Sequence, residues 1–335
     1  MRRRRSGWGL AATLVIGLVF LLISTRTLVA SVDIPLAARQ AYERSDYGKA
    51  VQELQAAATR EPRNGEIQLW LAKSYLELQE YDAAINSAEK AVAIDPNSSL
   101  YHEWLGKAYG EKASHAGMFS AMSLAKKTHK EFETAVRLDD RNYSARQALI
   151  EFDCSAPGMV GGGEDKARPE IEKLHGMDAA EWHYAEGNCR RQKKDYAGAE
   201  AEFQNALQSQ PKSAELIYDI GDYAAHHNQP DQLLEVANLG EKLAPSDPRG
   251  KFYRAAGLIL KNEKPGEAEA LLREYLQEAP KRNAYPRYAV VHEWLGRLDE
   301  NKADRTAAIK EYEEALRLEP KDKNAREALK RLGKG

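Results

Sequence analysis

The pentapeptide His-Glu-Trp-Leu-Gly occurs twice in the chain, at residues 102–106 and 292–296. A His-Glu pair on a helix is the first half of a zinc-protease site, in which a second His four residues on supplies another ligand. Those places hold Gly106 and Gly296, so neither copy can grip a metal. The eight histidines show no ligand spacing with Cys or paired carboxylates. His226 and His227, just before Asn228-Gln229-Pro230, suit the negative end of a helix dipole. Gly161-Gly162-Gly163 precede a predicted helix whose N-terminus favours an anion. A phosphate loop ends in Gly-Lys-Ser/Thr, however, and here Glu164-Asp165 follow, so a flexible turn is expected. No Ser-His-Asp or Cys-His arrangement is readable. The residues therefore predict no catalytic group, no metal and no cofactor. A rival enzyme reading would require titratable groups converging in a cleft near residues 110–165.

The elements that carry these residues must be read from the whole chain. Charged residues make up 30% of the 335 and hydrophobic ones 43%, the balance of a folded soluble body. Residues 1–30 differ. Arg2, Arg3, Arg4 and Arg5 precede an uncharged apolar run at 7–23, at the lower edge of what spans a bilayer and slightly long for a secretory signal. An N-terminal membrane anchor, or a signal cleaved near Ala30, is expected. The arginines then stay in the cytoplasm and the rest is exported. Past residue 30, 44 basic residues face 51 acidic ones, which argues against nucleic acid as a partner.

Prolines set a rhythm. Pro62 and Pro96 are 34 residues apart, Pro211 and Pro245 are 34, Pro245 and Pro280 are 35, and Pro280 and Pro320 are 40. Small residues recur at fixed places ahead of them, as in Ala38, Ala72, Gly187, Gly221, Ala256 and Gly296. Such positions let paired helices approach closely, with Pro stopping the second one. This pattern resembles the tetratricopeptide repeat. The resemblance implies an all-α right-handed superhelical solenoid of about eight helix-turn-helix units over residues 31–322. NAREALKRLG, within 323–335, reads as a capping helix and tail. The two pentapeptides then fall in matching register on first helices, as repeat packing.

The spacing breaks in the middle. Units at 99–142 and 143–179 carry extra residues around 110–127 and 154–167, expected at the turns between their helices and side by side on one edge. Met118, Phe119, Met122, Met159 and Val160 bring apolar side chains there. Soft Met-rich surfaces adapt to peptides, so an edge lobe that docks a partner is one expectation, and two insertions packing on each other is the alternative. The stretch 124–167 is similar to that of some bacterial membrane-anchored or exported repeat proteins, which supplies no activity.

In repeats of this kind the first helices line a concave groove for a peptide, again by resemblance. Tyr184, Tyr218 and Tyr253 share one position in consecutive units and would form a ladder of amphipathic rings. Lys73 and Lys107 occupy another groove position. With Glu103 and Glu151 nearby, this mixed charge does not resemble the carboxylate clamp of chaperone-binding members. Cys154 and Cys189 lie about one period apart and could be bridged in an oxidising compartment. The sequence thus predicts an interaction scaffold or assembly factor outside the cytoplasm. It binds an unidentified protein or peptide and no small molecule. A membrane-complex subunit that binds through its N-terminal helix is the alternative.

Overall fold

The computed structural model describes residues 34–333, and those residues are helical without any strand. The expected N-terminal anchor or signal lies outside them. No helix among the described residues is long and apolar enough to cross a membrane. From Ile34 on the chain forms one compact unit.

Eight helical pairs follow one another. They are α1 (Leu36–Glu43) with α2 (Tyr47–Arg60), α3 (Gly65–Glu77) with α4 (Tyr81–Ile94), and α5 (Ser99–Ser114) with α6 (Met118–Leu138). Next come α7 (Tyr143–Ser155) with α8 (Glu164–His175), α9 (Ala179–Gln192) with α10 (Tyr196–Gln208), and α11 (Ala214–His226) with α12 (Pro230–Leu243). The last are α13 (Arg249–Lys261) with α14 (Pro265–Glu278) and α15 (Tyr288–Asn301) with α16 (Arg305–Leu318). α17 (Lys323–Arg331) closes the array and packs Ala325, Ala328 and Leu329 against Ile309 and Tyr312.

Local chemistry fixes these boundaries. Asn64, Ser98, Asn142, Asp178, Ser213 and Asp322 each accept hydrogen bonds from backbone N–H groups two or three residues on, the N-cap arrangement that satisfies orphan donors. Turns inside the regular pairs use a residue of left-handed backbone, at Ser45, Gln79, Lys194, Asn228, Asn262 and Ala303. The two irregular pairs lack such a non-glycine residue. In the third pair the extra residues lengthen α5 and α6 into a helical hairpin, because only Gly117 interrupts a run of good helix formers.

In the fourth pair the chain makes a short 3-10 turn at Gly158–Val160 and then the three glycines. Gly161 and Gly163 have φ of 110° and 145°, and a Cβ on Gly162 would lie 2.2 Å from the Ala156 carbonyl oxygen. Only glycine fits. Val160 is buried and the turn packs on α6, with Gly161 against the His129 ring.

Within a unit, a glycine of the first helix faces an aromatic ring of the second. A Cβ on Gly106 would come within 2.6 Å of Phe132, on Gly187 within 2.5 Å of Phe203, and on Gly296 within 2.8 Å of Tyr312. These close approaches are what the small-residue period encodes. Between units, first helices touch the first helices of the next unit at most junctions, whereas second helices do so chiefly at α10 and α12. The array therefore curves with its first helices inside.

A third irregularity closes that curve. The linker between α14 and α15, residues 279–287, is longer than the other linkers and reaches the first two units. Tyr47 donates to the Lys281 carbonyl at 2.9 Å, and the Asn283 backbone N–H donates to Glu77 Oε2 at 3.1 Å. The Arg282 guanidinium lies 4.9 Å from the Tyr42 ring centre.

Candidate functional site

The inner face begins with a cation–aromatic stack. Lys73 Nζ on α3 lies 5.4 Å from the Trp70 ring and 4.6 Å from Trp104 on α5, while Lys107 Nζ lies 4.8 Å from the same Trp104. Lys107 also donates to Glu103 Oε1 at 2.5 Å and Ser144 at 3.2 Å. Burial, the largest single influence, would raise the Glu103 carboxyl, but the Lys107 ammonium and the hydrogen bonds from Ser144 and Asn142 together hold Glu103 below its ordinary value. Lys73 has no carboxylate within ion-pair distance among the described residues. Burial, then the Lys107 charge, lowers its pKa. The sequence reading placed both lysines on the groove, and the structure brings them to one cluster.

The tyrosine ladder needs correction. Tyr218 is 1% exposed and Tyr253 0%, so neither ring is offered to a ligand. Tyr218 fills the hollow left by Gly240 and Tyr253 the one at Gly221, and the two rings stack at 5.6 Å inside the core. Tyr184 is half-buried against the same core. What these tyrosines present to the groove is a pair of carboxylates on α11. Tyr184 donates to Asp219 Oδ2 at 3.1 Å and Tyr253 to Asp222 Oδ1 at 2.7 Å. Both acids are exposed, and neither has a cation within ion-pair distance among the described residues. Desolvation by the surrounding helices raises Asp219 to about 7 and Asp222 above its ordinary value.

At the edge, Met118 is 76% and Phe119 87% exposed, Met159 is exposed, and Met122 is half-buried. Cys154 and Cys189 form a disulfide with their Cα atoms 5.3 Å apart, tying α7 to α9 beside the fourth pair's insertion. Titratable groups do converge near residue 153. His129 Nε2 lies 3.1 Å from Asp153 Oδ1, and His129 Nδ1 lies 3.4 Å from Glu133. Burial pushes Asp153 up to about 7 and His129 down, so both shifts favour the uncharged pair. The atoms that face each other are shut off from solvent, and Gly161 lies directly against the His129 ring. The pair joins two units, and Asp153 also lines a cleft of about 1160 Å³ with Glu133, Arg146, Asp165 and Lys166.

The pentapeptides are structural in the same sense. His102 Nδ1 lies 2.6 Å from Glu131, His292 Nδ1 2.6 Å from Glu311, and His183 Nδ1 2.8 Å from Glu202. Each His thus joins the first helix of its unit to the second. Among the described residues no group of three His, Cys, Asp or Glu could hold a metal ion.

Sequence reasoning missed Arg249, Arg282 and Tyr285. Buried Arg249 is sandwiched between the rings of Tyr218 and Tyr285, at 4.3 and 4.5 Å, and pairs with Asp247 and Glu215 at 2.7 Å each. It anchors the inner end of the long linker whose outer end holds the first two units. The 40-residue gap between Pro280 and Pro320 was the available signal.

Stacked helical pairs with an inner lining of aromatic, cationic and acidic side chains define a helical repeat solenoid. Models of the tetratricopeptide repeat match residues 41–108, 165–214 and 289–322, and the chain is a tetratricopeptide repeat protein. Among solved structures, a tetratricopeptide repeat protein from Parabacteroides merdae is 15% identical, covering 88% of this chain and 96% of its own, with a TM-score of 0.44. Pseudomonas aeruginosa pilF is 15% identical over 82% and 99%, with a TM-score of 0.42. A monomeric mutant of IFIT1 with m7Gppp-AAAA is 18% identical over 88% and 71%, with a TM-score of 0.50. At such identities the likeness concerns the fold alone. No curated protein matches the chain.

Proposed function

We propose that the protein is an interaction scaffold on the exported side of a bacterial membrane, held there by residues 7–23 or released after cleavage near Ala30, and that it takes an extended segment of a partner protein along its inner face. One observation carries the reading. The two halves of the groove hold charges of opposite sign that lack ionic partners of their own: Lys73 between two indoles, and Asp219 with Asp222 on α11. Groups left uncompensated on a concave face are free to pair with a ligand, and complementary charge fixes its direction. The partner segment then has an acidic or aromatic group facing Trp70, Lys73 and Trp104, and a basic group facing Asp219 and Asp222.

Crosslinking in the native envelope with mass spectrometry tests this. A Lys73→Ala variant and an Asp219→Asn/Asp222→Asn variant are expected to lose the partner roughly tenfold, the effect of about 1.4 kcal/mol, while melting like the parent. Undiminished capture by both variants contradicts the groove reading.

A further inference from the structure

We propose that the α5–α6 hairpin is a membrane-contacting element, whose tip dips into the headgroup region of an anionic phospholipid surface. Three observations meet there. Met118 and Phe119 open α6 at the far end of the lengthened hairpin and are among the most exposed large apolar side chains of the protein. From Lys112 to Lys130 the sequence holds four lysines and not one acid. Lys126, Lys127 and Lys130 are exposed, and none has a carboxylate within ion-pair distance among the described residues.

Their spacing fits a lipid surface. Lys126 and Lys130 stand seven and eleven residues after Phe119, on the same face of the helix and about 10 and 16 Å behind it. An interfacial helix buries its apolar side chains about 5–10 Å into the headgroup and acyl boundary. Lysines set back by that distance reach the phosphate layer, with their stems lying along the apolar boundary. A second copy of this chain is the poorer occupant. Joining two such tips would bring two sets of unpaired lysines together, and like charges repel. A bilayer with anionic lipid neutralises them.

The proposal is independent of the groove reading, and the experiment uses the full chain. Phe119→Cys carries an environment-sensitive fluorophore, and Lys310→Cys on the outer second helix α16 is the control. Each protein is mixed with vesicles of phosphatidylcholine alone or phosphatidylcholine with phosphatidylglycerol. The expected result is a blue shift and several-fold brightening at position 119 with anionic vesicles, quenched by nitroxide-bearing lipid, with no change at 310. The shift is lost in Lys126→Glu/Lys127→Glu/Lys130→Glu even where residues 7–23 keep that variant on the vesicles. A solvent-like spectrum at 119 on vesicle-bound protein overturns the proposal. So does a shift that appears without vesicles and grows with protein concentration, which would mark contact between copies, or one that survives charge reversal.

Discussion

The two copies of His-Glu-Trp-Leu-Gly share a sequence and half of an environment. In each, the His reaches a Glu of its own second helix and the Gly receives an aromatic ring from that helix. The Glu differs. Glu103 meets Asn142, the N-cap of α7, together with Ser144 and Lys107, and is held below its ordinary value. Glu293 meets Asp322, the N-cap of α17, and burial plus that facing carboxyl pushes it up to about 8. Residues that pack within a unit are set by the unit's own sequence, whereas a residue at a junction takes its charge state from the next unit. The motif therefore cannot be read as chemistry without its neighbour.

Three pairs of substitutions sharpen or break this comparison. The largest effect is expected from the shared half. Gly106→Ala and Gly296→Ala both drive a methyl group into a ring, and each should lower the unfolding free energy by about 2 kcal/mol, seen as a shift of the denaturant midpoint. A neutral result at one site would end the equivalence of the two copies. Next, His102→Ala should cost about 1–2 kcal/mol, because His102 also contacts the Pro96 carbonyl at 3.0 Å. His292→Ala, with its single partner Glu311, should cost about 1 kcal/mol or less.

The smallest effect tests the differing half. Folded Glu293 keeps its proton up to about 8 against an ordinary value of 4.5, so the folded state binds more protons than the unfolded one between those values. Its contribution to stability must then fall as pH rises through that window. Asp322→Asn removes the facing charge and keeps a good cap. It should raise the unfolding free energy at pH 8 by on the order of 1 kcal/mol after solvent screening, with the two proteins converging near pH 4. The reverse change, Asn142→Asp, should transfer the same pH dependence to Glu103. If neither changes the pH profile, the neighbouring cap does not set the carboxyl.

The sequence made the helical pairs legible because Pro, Gly and Ala at fixed intervals report close packing directly. Side-chain direction was less legible. Tyr218 and Tyr253 occupy equivalent positions as expected, but their rings turn inward because Gly240 and Gly221 leave hollows for them, and one helix position cannot reveal a hollow on another. Lys73 and Lys107 were recoverable, since long cations next to Trp70 and Trp104 on first helices have few places to go. The lengthened α5–α6 hairpin was expected as a turn expansion, although the stretch from Ser120 to Lys130 contains no Gly or Pro to break a helix. The long linker at 279–287 showed only as an uneven proline spacing, and its contacts with Tyr47 and Glu77 span more than 200 residues. No local pattern encodes such a contact.

The central claim is that partners are held on the inner face. A photoreactive amino acid placed one site at a time at Trp104 and Asp219 on first helices, and at Lys90 and Lys310 on the outer second helices, measures this in intact cells. The account predicts partner adducts from Trp104 and Asp219 and none from Lys90 or Lys310. Adducts confined to the two outer positions would contradict it.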